Sequence, residues 1–76
     1  MRLKKLEIFR NFFLIYFEFD DKHNGFITPN GYSCSCLKKD CPHVKEVMNI
    51  LKKIKEGKTE GFKILDHGDY VLITPK

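Results

Sequence analysis

Seventy-six residues, 42% of them hydrophobic and 32% charged, with a formal charge of +4, describe one small packed domain rather than a disordered chain. A domain this small buries only a modest fraction of its surface, so it needs a staple: a disulfide, a metal or an oligomer. The basic start (Arg2, Lys4, Lys5) runs into Glu7 and Arg10 with no cleavage site, and the apolar run from Phe12 to Phe19 is far short of the ~20 residues that span a bilayer, so a soluble cytoplasmic protein without a membrane partner is expected.

Residues 2–10 read two ways. Leu3, Leu6 and Phe9 repeat at helical spacing, while Leu6 and Ile8 set against Lys5, Glu7 and Arg10 suit a strand. The strand is preferred, because Arg10-Asn11 can turn it into the strong strand that follows. That strand, Phe12 to Phe19, puts Phe13, Ile15, Phe17 and Phe19 on one face and Phe12, Leu14, Tyr16 and Glu18 on the other. With both faces apolar it is expected to lie between the helix and a C-terminal hairpin, or to offer one face to a partner. Asp20 to Gly25 is a predicted turn with Asn24-Gly25 at positive φ, and Phe26-Ile27 a short return strand. Pro29-Asn30-Gly31 predicts a second turn. Tyr32 to Cys36 then resumes as a strand, with Tyr32, Cys34 and Cys36 on one face.

A helix is predicted over about 41–56, with Asp40 as N-cap and Pro42 in the first turn. Its apolar stripe is Val44, Val47, Met48, Leu51 and Ile54, and Gly57 suits a left-handed C-cap. Phe62 to Thr74 predicts a hairpin turning at His67-Gly68, which sets Ile64 against Val71 and Phe62 against Ile73. His23 and His67 read as surface turn residues, and Tyr32 and Tyr70 as amphipathic core-edge residues. The fold class is therefore α+β: a small antiparallel sheet of four to six strands with one helix packed on it, ending in a β-hairpin, across the single domain 1–76.

Cys34, Cys36, Cys41 and His43 place all three cysteines and a histidine within ten residues. Structural zinc takes four tetrahedral N or S donors, and thiolates gathered at a helix start are favoured by its free N–H groups and positive dipole end. Cys3His is a closed set with no open position for substrate, so a structural rather than catalytic Zn2+ is expected. A Cys34–Cys36 disulfide would be strained and would leave one cysteine over. A catalytic Cys–His pair lacks a third orienting group in the sequence. No Gly-rich phosphate loop and no acid–base carboxylate pair appears, so neither an enzyme nor a small-molecule substrate is expected.

Cys34-x-Cys36, a four-residue spacer and Cys41-x-His43 running into an amphipathic helix resemble the SWIM zinc finger, a CxC…CxH pattern, over roughly residues 26–54. The spacer is at the short end for that family and lacks the aromatic residue often found there. The resemblance implies zinc on those four residues and a role in DNA binding or protein–protein interaction.

Charge adds to that implication. Residues 31–58 hold seven lysines against Asp40, Glu46 and Glu56, a local net charge of +4 around the site. Lys45, Asn49, Lys52 and Lys53 fall opposite the apolar stripe, and Lys38 and Lys39 lie in the spacer. Lys38, Lys39, Lys45, Lys52 and Lys53 are the candidate nucleic-acid contacts, to DNA over RNA. Arginine occurs only as Arg2 and Arg10, so the contacts expected are to phosphate rather than to base edges. The alternative is a protein–protein adapter or homodimerisation module that does not bind nucleic acid.

Overall fold

The computed structural model describes residues 2–37 and 41–76. Six strands and one helix follow in the order β1 (Leu3–Phe9), β2 (Leu14–Phe19), β3 (Asn24–Thr28), β4 (Gly31–Cys34), α1 (Pro42–Lys55), β5 (Phe62–Asp66) and β6 (Tyr70–Pro75). They build one antiparallel sheet in the order β4-β3-β2-β1-β6-β5. The first four strands form a meander. The helix then carries the chain across the sheet, and β6 returns to pair with β1.

Residues 2–10 are strand, and a bulge explains their mixed signal. Leu3 pairs with Phe19 and Lys5 with Glu18, so one extra residue intervenes between the two pairs. The bulge brings Leu3 onto the same face as Leu6, which gives helix-like spacing inside a strand. Leu6 opposes Phe17 on one side and Ile73 on the other, and all three are fully buried. Around them close Leu3, Phe19, Val44, Val47 and Ile50. Each such side chain contributes about 1.5–3 kcal/mol by leaving water.

β2 begins two residues later than expected. The turn spans Arg10 to Phe13, leaving Phe12 and Phe13 exposed at 74% and 75%, with Phe13 at φ +51°. Pairing Leu6 with Phe17 requires this longer loop. The second hairpin shifts in the same way: Ile64 pairs with Ile73 and Phe62 with Pro75, not with Val71 and Ile73. The turn there falls one residue later, at Gly68-Asp69, closed by His67 N–H to Tyr70 C=O (2.9 Å) and steadied by Gly68 N–H to the Asp66 carboxylate (2.8 Å). Arg10 ties the two loops together, with Nη2 2.9 Å from Asp66 Oδ2 and Nη1 donating to Gly68 C=O. His67 stacks on Tyr70, with ring centroids 4.8 Å apart.

Asn24-Gly25 is not a turn. Both residues belong to β3, and the positive φ falls on Lys22 at +70°. Gly25 is needed for space: a Cβ there would collide with Ser33 C=O and come within 2.8 Å of the Phe17 ring.

The C-terminal hairpin extends the sheet edgewise instead of covering it, so β2 is not sandwiched between helix and hairpin. Helix α1 covers one face; on the other, Phe9, Leu14, Tyr16, Phe26, Tyr70 and Leu72 have no second layer among the described residues. The helix buries His43, Val44, Val47 and Ile50, whereas Met48 is 54% exposed. The inward stripe is thus rotated from the expected one, because His43 must face the sheet. Gly57 closes the helix at φ +86°, with Gly57 N–H donating to Ile54 C=O and Lys58 N–H to Lys53 C=O, a Schellman pair. No helix among the described residues is long and apolar enough to cross a membrane.

Candidate metal centre

β4 delivers Cys34, whose side chain lies in the core beside Gly25 and Phe17. Strand alternation does not deliver Cys36, which lies in a turn after β4 ends. Leu37 N–H donates to Cys34 C=O (3.1 Å) and Leu37 takes φ +57°, folding the second sulfur back toward the first. Ser35 holds this turn to the sheet: its N–H donates to Asn24 C=O (2.8 Å) and its Oγ accepts Asn24 N–H (3.1 Å). Cys41 takes the N-cap position without a side-chain cap bond, and Pro42 opens the helix. The expected N-cap, Asp40, lies outside the described residues, as do Lys38 and Lys39.

The ligand atoms of Cys34, Cys36, Cys41 and His43 all lie within 4.8 Å of one another, close enough to hold a metal ion. Cys36 Sγ and Cys41 Sγ are 3.1 Å apart, and His43 Nδ1 is 3.6 Å from Cys41 Sγ. No disulfide joins any of the three cysteines. Cys34, Cys41 and His43 are buried, and the His43 ring meets Phe19 edge-on at 4.9 Å. The site is therefore continuous with the hydrophobic core.

Asp21 is the residue that sequence reasoning missed. Its Oδ2 lies 2.8 Å from His43 Nε2, which turns Nδ1 toward the sulfurs. Metal-bound imidazoles characteristically give their second ring nitrogen to a carboxylate, fixing the tautomer and raising basicity. Asp21 and His43 are 22 residues apart, so no spacing rule connects them; it is the turn from Asp20 to His23 that carries the carboxylate over the helix start. His23 belongs to the same cluster and not to the open surface. Its Nδ1 is 3.0 Å from Ser35 Oγ and its ring packs 4.8 Å from His43. Asp21, His23 and His43 also bring ligand atoms within 4.8 Å, so the two clusters share the His43 imidazole.

Without an ion, Cys34 and His43 hold their protons. Burial pushes the Cys34 thiol up to about 12. Burial works the other way on His43, but hydrogen bonds to Asp21, Cys41 and Cys36 outweigh it and hold the imidazole up to about 9. Three soft sulfurs, one oriented imidazole nitrogen and a shielding core fit a thiophilic dication, whose charge would offset the cost of ionising buried thiols.

Of the candidate nucleic-acid contacts, Lys45, Lys52 and Lys53 are exposed on α1. Lys45 and Lys52 point away from the sheet, while Lys53 lies on the helix flank beside a cleft that Glu46 and Glu60 also line. Comparison with protein-family models, with curated proteins and with solved structures returns no match.

Proposed function

We propose that this chain is a zinc-stapled, SWIM-type binding module of the cytoplasm, in which Cys34, Cys36, Cys41 and His43 hold one structural Zn2+ and the lysine face of α1 binds nucleic acid, DNA in preference to RNA. The observation that carries the metal reading is the convergence of four ligand atoms within 4.8 Å, with Asp21 setting the His43 tautomer. Zinc is favoured by the three-sulfur, one-nitrogen donor set and the reducing conditions of the cytoplasm.

Asp21, His43 and Cys41 have the order of a catalytic triad, yet Cys41 is 2% exposed and two more sulfurs share its site. A nucleophile needs access to substrate, so these groups suit metal retention better than acyl transfer. The same helix that begins at the ligands presents Lys45, Lys52 and Lys53, so metal binding and the basic face are mechanically one unit. Lys38 and Lys39 complete the proposed set. With five lysines engaged, log K falls against log salt with a slope of roughly −4 to −5. Anisotropy titrations of the zinc-loaded protein with random-sequence DNA and RNA test this, and a flat salt response would remove nucleic acid from the account.

A protein-interaction role has its own support in the outer sheet face, where Phe26 is 44% exposed and Phe9, Tyr16 and Tyr70 are half-buried with no second layer among the described residues. That reading predicts capture of a protein partner that Phe26→Glu abolishes while leaving any nucleic-acid affinity unchanged.

A further inference from the structure

The sheet has two edges, and they differ. β4 is four residues long, carries a metal ligand, and its last residue accepts the Leu37 N–H in the turn that follows. β5 is five residues, without proline or bulge, with Ile64 41% and Leu65 39% exposed on its two faces. His67 N–H donates to Tyr70 C=O and Lys76 N–H to Gly61 C=O, which fixes the phase of the ladder between β5 and β6. By antiparallel alternation Lys63 and Leu65 turn their backbone polar groups toward β6, while Phe62, Ile64 and Asp66 turn theirs outward. A row of outward donors and acceptors on a strand that no described residue covers is a template for another strand.

We infer that β5 pairs antiparallel with β5 of a second copy of this chain about a twofold axis at Ile64, joining two six-stranded sheets into one. Three features choose a second copy and this register. A twofold at Ile64 overlaps the strand along its whole length: Ile64 opposes Ile64 and Phe62 opposes Asp66 of the second copy. A twofold at Lys63 would set two ammonium groups against each other, and one at Leu65 would run Phe62 and Lys63 against the bend at His67-Gly68. The edge is also electrically self-compatible, since Lys63 and Asp66 cancel and Asp66 already engages Arg10. Ile64 N–H then donates to Ile64 C=O across the axis in both directions. Asp66 N–H donates to Phe62 C=O; the Phe62 N–H is already given to Thr59 C=O. On the inner face the two Ile64 side chains meet. On the outer face the Lys63 stem lies over Leu65 of the second copy with its ammonium in water.

Strand pairing alone makes a small interface, so the dimer is expected to be concentration-dependent. It is independent of what the lysine face binds. Sedimentation equilibrium and amide exchange of the full, metal-loaded chain from micromolar to millimolar concentration test it. The expected result is a monomer–dimer equilibrium in which the Ile64 and Asp66 amides slow by about tenfold or more with concentration, while the Lys63 and Leu65 amides, already bonded to β6, do not change. Ile64→Pro removes only an outward N–H, a position where an edge strand tolerates proline, and should abolish dimerisation with metal content retained. A chain that stays monomeric at millimolar concentration, or a dimer whose concentration-dependent protection lies elsewhere, overturns the inference; the exchange pattern of the unmodified chain decides it even if Ile64→Pro fails to fold.

Discussion

Asp21→Asn is the most informative single substitution, because Asp21 touches the Cys3His cluster through His43 and lies outside the proposed four-ligand set. Its Oδ2 sits 2.8 Å from His43 Nε2, while Nδ1 faces Cys41 Sγ at 3.6 Å and the ring packs against Phe19 and His23. Asparagine keeps the size and an acceptor oxygen but removes the charge that stabilises a metal-bound imidazole. Removing such outer carboxylates costs about 10–100-fold in metal affinity. Because the Asp21 side chain is 35% exposed, water can replace part of the interaction, and the lower end of that range, about tenfold, is expected. Asp21→Ala, which also frees the ring to rotate, should lie toward the upper end. Competition titration against a chromophoric zinc chelator gives the affinity, and the Co2+-substituted spectrum reports whether the three-sulfur set survives. An affinity within twofold of the parent for both variants would refute the orienting role, as would loss of a sulfur ligand in the cobalt spectrum.

The remaining expectations address fold and site together. Ile50→Ala should cost about 2–5 kcal/mol in urea denaturation of the metal-loaded protein, while Met48→Ala stays within about 0.5 kcal/mol, because the helix turns Ile50 and not Met48 inward; equal effects would contradict the rotation of the stripe. Gly25→Ala should cost about 1–3 kcal/mol or more, read in the same assay, since its Cβ must displace both the Ser33 carbonyl and the Phe17 ring. Metal binding should release protons: with Cys34 at about 12 and His43 at about 9 in the ion-free chain, both are protonated at neutral pH and both must lose a proton to ligate. The ion-bound state holds fewer protons, so affinity rises with pH and is lost as pH falls, by about two or more log units per pH unit near neutrality. Calorimetry in buffers of different ionisation enthalpy counts the protons, and fewer than two per ion would contradict the assignment.

How far the sequence could be read depends on which interactions are local. Period-two alternation placed residues on the correct faces: Phe17 and Phe19 are buried, and Ile64, Ile73, Phe62 and Val71 share a face. Register was beyond it. The first hairpin's loop is two residues longer than Arg10-Asn11 and the second hairpin turns one residue later, at Gly68-Asp69; each moves the pairing by two, which preserves faces while changing every partner. Loop length there is set by long-range demands, namely Leu6 meeting Phe17 and Arg10 reaching Asp66 and Gly68. Gly25 shows a related ambiguity: Asn-Gly signals a turn, but the same missing Cβ also serves a close approach between strands. Helix bounds and the Gly57 cap were legible because caps and periodicity act within one turn of chain. At the candidate metal centre the four clustered residues were visible from their spacing, whereas Asp21 and His23 were not, since their turn is far from Cys34–His43 in sequence. The helix stripe differs for a physical reason: spacing counted from Val44 selects Met48, but fixing His43 at the cluster makes the stripe His43, Val44, Val47 and Ile50 and turns Met48 outward.

The central claim is that Cys34, Cys36, Cys41 and His43 hold one zinc ion that the fold requires. X-ray absorption on the zinc-loaded chain, with circular dichroism before and after chelation, tests it most directly. The account predicts one zinc per chain with three sulfurs at about 2.3 Å and one nitrogen at about 2.0 Å, and loss of native structure when the ion is removed. A chain that binds no zinc, or that keeps its native spectrum and cooperative unfolding with the ion stripped away, would contradict it.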